Sequence, residues 1–341
     1  MPGETKQKIS ICIPTFNRSD LLKKTLLSVA NQTVKPWEVI VVDNYSSDDT
    51  QRVVSEFSEI KYFRNNTNLG VADNWNRCIE LATGDFITLL HSDDLISPYW
   101  YERWQDMIKG DNSQQIGAYF SATFTIDTNE NAKIVYRVFS KKTLLGPGEA
   151  FKEMWQRNMC ALPASGAIIY RKSVFDVIGK FDKSYSTEID IALSLKLLYR
   201  FGVFYTPELL FAYRIHPFQG FDKDKKVKTD EKRYAILSNH LAIFKEFYGT
   251  LPEGEYKTAL FYKRVGYMYI AIAIFNFLAF RFSKAKKYYV LTKAVFPDTL
   301  NSPGDILLLA TLILHYIDKL ITGRIKALPI RNIAKDWLAL N

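Results

Sequence analysis

Cysteine is scarce in this 341-residue chain, and the three that occur, Cys12, Cys78 and Cys160, are far apart. An odd number without CxxC spacing excludes a disulfide framework and a thiolate metal knuckle, and it fits a reducing compartment. Residues 1–8 are polar and mixed in charge, so no secretory leader is expected. The most apolar runs, residues 266–280 and 306–317, fall short of the roughly 20 residues that span a bilayer. They are expected to form buried or membrane-surface helices. The chain lacks a repeat of solenoid period and any low-complexity tract. After its first apolar strand it has neither GxGxxG nor GxxxxGK[ST], which argues against a standard dinucleotide fold and a P-loop. The Gly-x-Gly-Thr-Arg loop of a nucleotidyltransferase is missing too.

What is present is globular: 48% hydrophobic and 24% charged residues. The length suits one catalytic domain with an appendage. A net charge of +9 favours polyanionic ligands, nucleic acid or an anionic membrane face.

The first hundred residues alternate strand and helix patterns. Strands are expected at 9–14, 38–43, 61–64 and 85–90. Helices are expected from Ser19 or Asp20 as cap, over 48–57, and over 71–82 with Gly84 as the C-cap glycine. Such βα units imply right-handed crossovers and a mostly parallel sheet with helices on both faces, an α/β, Rossmann-like class. Residues 117–138 alternate as antiparallel strands do. A helix is expected after Gly148, a strand at 166–170, a helix at 189–201 and a strand at 209–215. A boundary is placed at 222, giving a catalytic domain of 1–222 and a helical domain of 223–341.

Ligands of such a sheet settle beyond the carboxyl ends of its strands. There stand three polar clusters, each of which alone would read as a turn or a helix cap: Pro14 to Arg18, Asp43 to Asp48, and His91 to Asp94. Asp43 can accept from the single imide donor of a pyrimidine. Thr15 and Asn17 can hold base or ribose, and Arg18 offers a fork for a phosphate. The adjacent acids Asp93 and Asp94 repel one another unless a cation separates them, and Mg²⁺ or Mn²⁺ bridging to a diphosphate supplies one. The competing reading makes the two acids an N-cap pair for a helix beginning near Pro98.

The strings Ile11-Cys-Ile-Pro-Thr-Phe-Asn-Arg18, Glu38-Val-Ile-Val-Val-Asp-Asn44, Asn68-Leu-Gly70 and Ala82-Thr-Gly-Asp-Phe-Ile87, followed by Asp93-Asp94, resemble glycosyltransferase family 2 of the GT-A fold in order and spacing. The resemblance implies an inverting transfer of sugar from a nucleoside-diphosphate donor such as a UDP- or dTDP-sugar. The acceptor would be a saccharide or lipid-linked saccharide, in surface polysaccharide or glycolipid synthesis. It implies that Pro14, Thr15, Asn17 and Asp43 line the nucleoside pocket, that His91, Ser92 and Asp93 stand on the DxD metal motif, and that Asp94 follows as a further ligand. Two departures stand out. His91 replaces the first acid of DxD. The family's Ala-Arg-Asn pattern reads Asn74-Trp75-Asn76, leaving Asn76 at the donor and Trp75 available for stacking where an arginine is usual. Those departures motivate the alternative of a catalytically idle nucleotide-sugar-binding scaffold. Thr187-Glu-Ile-Asp-Ile-Ala-Leu-Ser-Leu195 matches the family's base motif, which implies Glu188 as general base with Asp190 in reserve. Tyr213-Arg-Ile-His216 resembles the end of the catalytic domain, with His216 as a metal or diphosphate ligand.

Beyond residue 234 the pattern is helical and aromatic. Arg281, Lys284, Lys286, Lys287 and Lys293 interleave with Tyr288, Tyr289 and Phe296. That mixture suits either a solvated helix face or peripheral contact with an anionic membrane, which would place the protein in the cytoplasm or at the inner face of the cytoplasmic membrane. No nucleic-acid module is recognisable, and nucleic acid is not an expected partner.

Overall fold

The computed structural model describes residues 6–216 apart from 110, 112–114, 157–161, 163–164 and 186–187. All of them belong to one compact unit, Met1–Lys228. The boundary at 222, the helical domain and the apolar runs at 266–280 and 306–317 lie outside the described residues. Among the described residues, no helix is long and apolar enough to cross a membrane.

Ten strands form one sheet: β1 (Ile9–Thr15), β2 (Glu38–Asp43), β3 (Ile60–Arg64), β4 (Phe86–Leu89), β5 (Leu95–Ile96), β6 (Ile116–Ile126), β7 (Ala132–Tyr136), β8 (Thr143–Leu145), β9 (Ile168–Arg171) and β10 (Gly202–Arg214). The helices are α1 (Ser19–Ala30), α2 (Thr50–Ser55), α3 (Val71–Leu81), α4 (Trp100–Ile108), α5 (Glu149–Gln156), α6 (Val174–Ile178) and α7 (Ile189–Arg200). The order across the sheet is β3-β2-β1-β4-β9-β6-β10-β5, with β7 on β6 and β8 on β10. β1 to β4 are mutually parallel, as the βα pattern predicts, and β6 and β10 are parallel as well. β9 is the antiparallel insert between those halves. The result is the expected α/β, Rossmann-like class.

Successive side chains of a strand leave opposite faces. Ile9, Ile11, Ile13, Val39 and Val41 therefore pack on one side with Leu22, Leu26, Val53, Trp100 and Trp104 of α1, α2 and α4. Cys12, Ile40, Val42, Ile87 and Leu89 pack on the other with Cys78, Val174, Leu193 and Leu197 of α3, α6 and α7. Every residue of β1 and β2 is buried, as parallel strands covered on both faces must be.

Several local expectations are corrected. α1 is capped by Arg18, while the Ser19 N–H is held by Asp48 Oδ2 at 2.8 Å. Ala82 ends α3, and Gly84 serves close approach: a Cβ there would lie 2.4 Å from the Lys8 carbonyl oxygen and 2.6 Å from Ser10 Oγ. β10 begins at Gly202, seven residues before the expected 209. Its register shifts between Thr206 and Leu209, where Pro207 removes a ladder donor and disguises the strand. Gly166 allows close packing against the core, where a Cβ would stand 2.8 Å from the Phe211 ring.

At the amino end of the sheet, buried Glu38 joins β1, β2, β3 and the loop before β4. Its Oε1 accepts from Ser10 Oγ at 2.6 Å, Thr83 N–H at 2.6 Å and Thr83 Oγ1 at 2.9 Å, and its Oε2 accepts from Lys61 Nζ at 2.7 Å. Burial pushes its carboxyl up, but these bonds from Lys61, Ser10 and Thr83 outweigh it and lower the pKa to about 2. A folded pKa below the unfolded one stabilises above the unfolded value and is lost as pH falls through the folded value. Glu38→Gln is expected to cost about 2 kcal/mol at neutral pH, since charge-assisted bonds are the strong ones. In urea melts its gap to wild type should narrow as pH drops from about 5 toward about 3. A pH-independent gap would refute this account.

Candidate active site

The carboxyl ends of β1, β2 and β4 and the end of β10 meet in one polar cluster. Asp43, the last residue of β2, is buried; its Oδ1 accepts the Ser46 N–H at 2.9 Å and its Oδ2 the Tyr62 O–H at 2.6 Å. Burial, together with the Asp43 hydrogen bond, raises the Tyr62 hydroxyl above its ordinary pKa, so it stays a donor. Ser46 Oγ then accepts the Asn17 N–H at 2.9 Å, and Asn17 Oδ1 accepts the Ser47 N–H at 2.7 Å. Asn17 can make this turn because it adopts φ +50°, a left-handed conformation that asparagine tolerates. Next to it, Arg18 Nη1 donates to Asp93 Oδ2 at 2.5 Å, and His216 Nε2 lies 3.0 Å from the same oxygen. Contacts thus run unbroken from Asp43 through the 17–18 turn to Asp93 and His216. The three clusters expected at the strand ends do converge.

β5 explains why His216 is there. It pairs antiparallel with β10, Leu95 opposite Ala212 and Ile96 opposite Phe211, which sets Asp93 and Asp94 beside residues 213–216. Asp94 Oδ1 accepts the Arg214 N–H at 2.9 Å, and Arg214 Nε donates to the Asp93 carbonyl at 2.9 Å. The Arg214 guanidinium, 0% exposed, also reaches Glu130 at 3.2 Å. The N-cap reading of the two acids is overturned, since α4 begins at Trp100 with Tyr99 as its cap.

The two carboxylates differ sharply. Burial pushes Asp93 up, but the His216 hydrogen bond, with His91 and Arg18, outweighs it and holds the carboxyl below its ordinary range. Burial and the neighbouring Asp93 charge push Asp94 well above it, against the pull of Arg214. Asp94 Oδ2 is buried without a hydrogen-bond partner, and His91 Nδ1 stands 3.7 Å away. Burial also holds His91 below its ordinary value, so its imidazole is neutral at pH 7. Donor atoms of His91, Asp93 and Asp94 lie within 4.8 Å of one another. An orphaned buried carboxylate oxygen beside a neutral imidazole and a second carboxylate fits a hard or borderline divalent cation.

Of the remaining candidates, Pro14 is buried in β1 opposite Val42, and Thr15 Oγ1 is buried without a hydrogen-bond partner at the same strand end. Ser92 is buried within the His91–Asp94 turn. Asn76 holds the backbone together instead of facing a donor, because its amide accepts the Phe181 N–H at 2.9 Å and donates to the Phe181 carbonyl at 2.8 Å. Trp75 stacks on His91, with ring centroids 5.0 Å apart. Glu188 is buried and stands as N-cap of α7, its N–H donating to the Tyr185 carbonyl at 3.0 Å. Asp190, in the first turn of that helix, is partly buried, with Oδ1 accepting the Ile191 N–H at 2.9 Å.

Sequence reasoning missed the asparagines beneath the Asp43 loop. Asn44 Nδ2 donates to Asn68 Oδ1 at 2.8 Å and to the Gly70 carbonyl, while its Oδ1 accepts from Asn65 and the Leu69 N–H. Asn65 also donates to Asn74 Oδ1 at 2.8 Å. The signal was asparagine recurring at 44, 65, 68 and 74; Asn44, Asn68 and Asn74 stand in the strings compared with the family, which attached no structural role to them.

The profile of "Glycosyl transferase family 2" matches residues 10–179. A GalNAc(5)-diNAcBac-PP-undecaprenol beta-1,3-glucosyltransferase of Campylobacter jejuni is 28% identical over 320 residues, covering 90% of this chain and 94% of that protein. A PGL/p-HBAD biosynthesis glycosyltransferase of Mycobacterium bovis is 30% identical over 189 residues, covering 53% and 66%. Among solved structures, S. aureus TarS 1-349 in complex with UDP aligns with TM-score 0.55 and 18% identity over 76% of this chain and 71% of that one, a likeness of fold.

Replacing Asn44 with alanine strips hydrogen-bond partners from Asn65, Asn68, Leu69 and Gly70, and the loss is costly where the group left behind is buried, as Asn65 is. Asn44→Ala is expected to lower stability by about 2–3 kcal/mol, a fall in Tm of about 5–10 °C for a unit of this size. A Tm within a degree or so of wild type would show that the network carries no load.

Proposed function

Since the chain belongs to glycosyltransferase family 2, we propose that it catalyses an inverting, metal-assisted transfer of a sugar from a UDP- or dTDP-sugar to a hydroxyl of a lipid-linked saccharide. The contact chain from Asp43 to Asp93 and His216 carries this reading, because Asp43, read as the nucleoside acceptor, and the Asp93–Asp94 pair, read as the cation site, share one mouth of the sheet. Asp43 accepts one hydrogen bond on each oxygen, with Arg64 Nε 3.8 Å from Oδ2, and is read as the acceptor for a pyrimidine imide; the unpartnered Thr15 hydroxyl supports ribose or base binding beside it. His91, Asp93 and Asp94 would hold Mg²⁺ or Mn²⁺, whose charge would offset the departing nucleoside diphosphate. Arg18, partly in solvent and already on Asp93, is a guanidinium fork of the kind that meets phosphates.

Inversion is a single displacement. Glu188 takes the proton from the acceptor hydroxyl, the freed oxygen bonds to the anomeric carbon from the far side, and the bond to the diphosphate oxygen breaks with its electron pair. Burial at a helix start keeps Glu188 close to a fixed pose. Asp190 is the reserve for the same role. The Campylobacter relative, matched over nearly its whole length, is named for an acceptor on undecaprenol diphosphate, which supports a lipid-linked acceptor here. A membrane-borne acceptor in turn supports peripheral contact through the basic aromatic stretch at 281–296, from the cytoplasmic side.

Glu188→Gln is expected to lower transfer by about 10²–10⁴-fold while keeping donor affinity, the usual weight of a positioned base. Unchanged turnover would remove Glu188 and move attention to Asp190→Asn. Chelation with EDTA should abolish transfer and added Mn²⁺ or Mg²⁺ restore it, whereas full activity in EDTA would reject the metal.

A further inference from the structure

We propose that Trp75 is a positioning residue that ties the His91–Asp94 turn to the segment leading into Glu188, so that the cation site and the base are set by one side chain. The inference rests on the metal and base roles proposed above. The Trp75 ring lies on His91 with centroids 5.0 Å apart and planes 30° apart. It also meets Phe181 edge-to-face at 5.0 Å and 83°. Phe181 is buried, and α3 grips its segment at two further points. The Asn76 amide closes both hydrogen bonds of the Phe181 backbone, and Asp73 Oδ2 accepts from Lys183 Nζ at 3.1 Å. From there one short turn leads to Tyr185, whose carbonyl accepts the Glu188 N–H.

His91 Nδ1 stands 3.7 Å from Asp94 Oδ2, beyond hydrogen-bond reach, so that carboxylate does not fix the plane of the ring. A stacked indole does restrict that plane, and it leaves the ring nitrogens in the edge directions, where a ligand atom must be. The second aromatic contact makes the restraint mutual, since a shift of the Phe181 segment moves the indole and with it the imidazole. Trp75 is assigned no ligand atom of its own; it acts through His91 and Phe181.

Two readouts test this in the full-length chain, neither of them turnover. Mn²⁺ titration followed by the EPR signal of the free ion should show Trp75→Leu binding about 3–10-fold more weakly than wild type, with Trp75→Phe near wild type. In a His91→Ala background, Trp75→Leu should cause no further loss, because the indole acts through the imidazole. Hydrogen exchange of amides in residues 181–190 should be faster in Trp75→Leu than in Trp75→Phe. If Trp75→Leu does not fold, Phe181→Leu breaks the same contact from its other side and should weaken Mn²⁺ binding alike. Equal Mn²⁺ affinity in wild type and Trp75→Leu, a further loss in the His91→Ala background, or unchanged exchange would overturn the tie. A wild type that binds no Mn²⁺ would instead overturn the metal role itself, and the tie with it.

Discussion

Two adjacent carboxylates buried at the end of a parallel strand are the constraint around which this site is organised. Taking one charge out of water is expensive, and placing a second beside it raises the cost again. The chain meets that cost with groups drawn from distant parts of the sequence. Arg18 follows β1, and His216 and Arg214 lie at the end of β10. The sheet order makes this convergence possible. β1 and β4 are neighbours, and the short β5 carries Asp93 and Asp94 across to β10. A parallel sheet without that antiparallel stub would leave the acids beside β4, away from the cationic and imidazole groups at the end of β10.

The same geometry joins the polar turn after β2 to the turn that bears the two acids. The polar turn after β2 is stiffened by Asp43, by the asparagines at 44, 65, 68 and 74, and by Arg64, which donates to the Ser46 carbonyl at 2.8 Å. It passes its fixed position to Asn17 through Ser46 and Ser47, and Asn17 is adjacent to the arginine that grips Asp93. Rigidity is therefore handed along a line of hydrogen bonds rather than supplied by loop packing. Buried networks of this kind specify one arrangement only when every member is satisfied. Along this line the exceptions are Thr15 Oγ1 and Asp94 Oδ2, both at the carboxyl-end mouth of the sheet.

The features that can be read from sequence are those where chemistry and position coincide. Apolar runs ending in Pro-Thr-x-Asn, in Asp-Asn or in Asp-Asp mark strand ends on their own, and the parallel β1 to β4 follow from the βα alternation. What could not be read depends on partners far along the chain. Glu38 looks like a polar residue opening a strand, yet it is tied to Ser10, Lys61 and Thr83. Asn76 looks like a donor contact in a recognisable pattern, but its amide is spent on Phe181, 105 positions away. Pro207 hid the first half of β10, because a proline normally argues against a central strand and only the register shift beside it makes room. Arg214 stood in a recognised motif with no role attached to it, since only burial reveals that its guanidinium holds the turn bearing both acids.

The unequal treatment of the two acids has a functional consequence. Asp93 is answered by side chains of the protein: one fully sheltered, His216, and one, Arg18, whose side chain is 29% exposed. Asp94 is 0% exposed and answered on one oxygen by a backbone N–H, with the other oxygen left over. Were a cation to bind this pair as proposed, it would meet an unpartnered oxygen at Asp94 and would share Asp93 with Arg18 and His216. Of those two, Arg18 is the partly exposed one on a long side chain, and under the proposed reaction a diphosphate would be a better-matched partner for it than a single carboxylate oxygen. The departure of His91 from an acidic residue is consistent with this balance. A third carboxylate here would add a further buried charge to a turn whose Asp94 is already pushed well above its ordinary range by burial and by Asp93, whereas a neutral imidazole adds a possible donor atom and no charge.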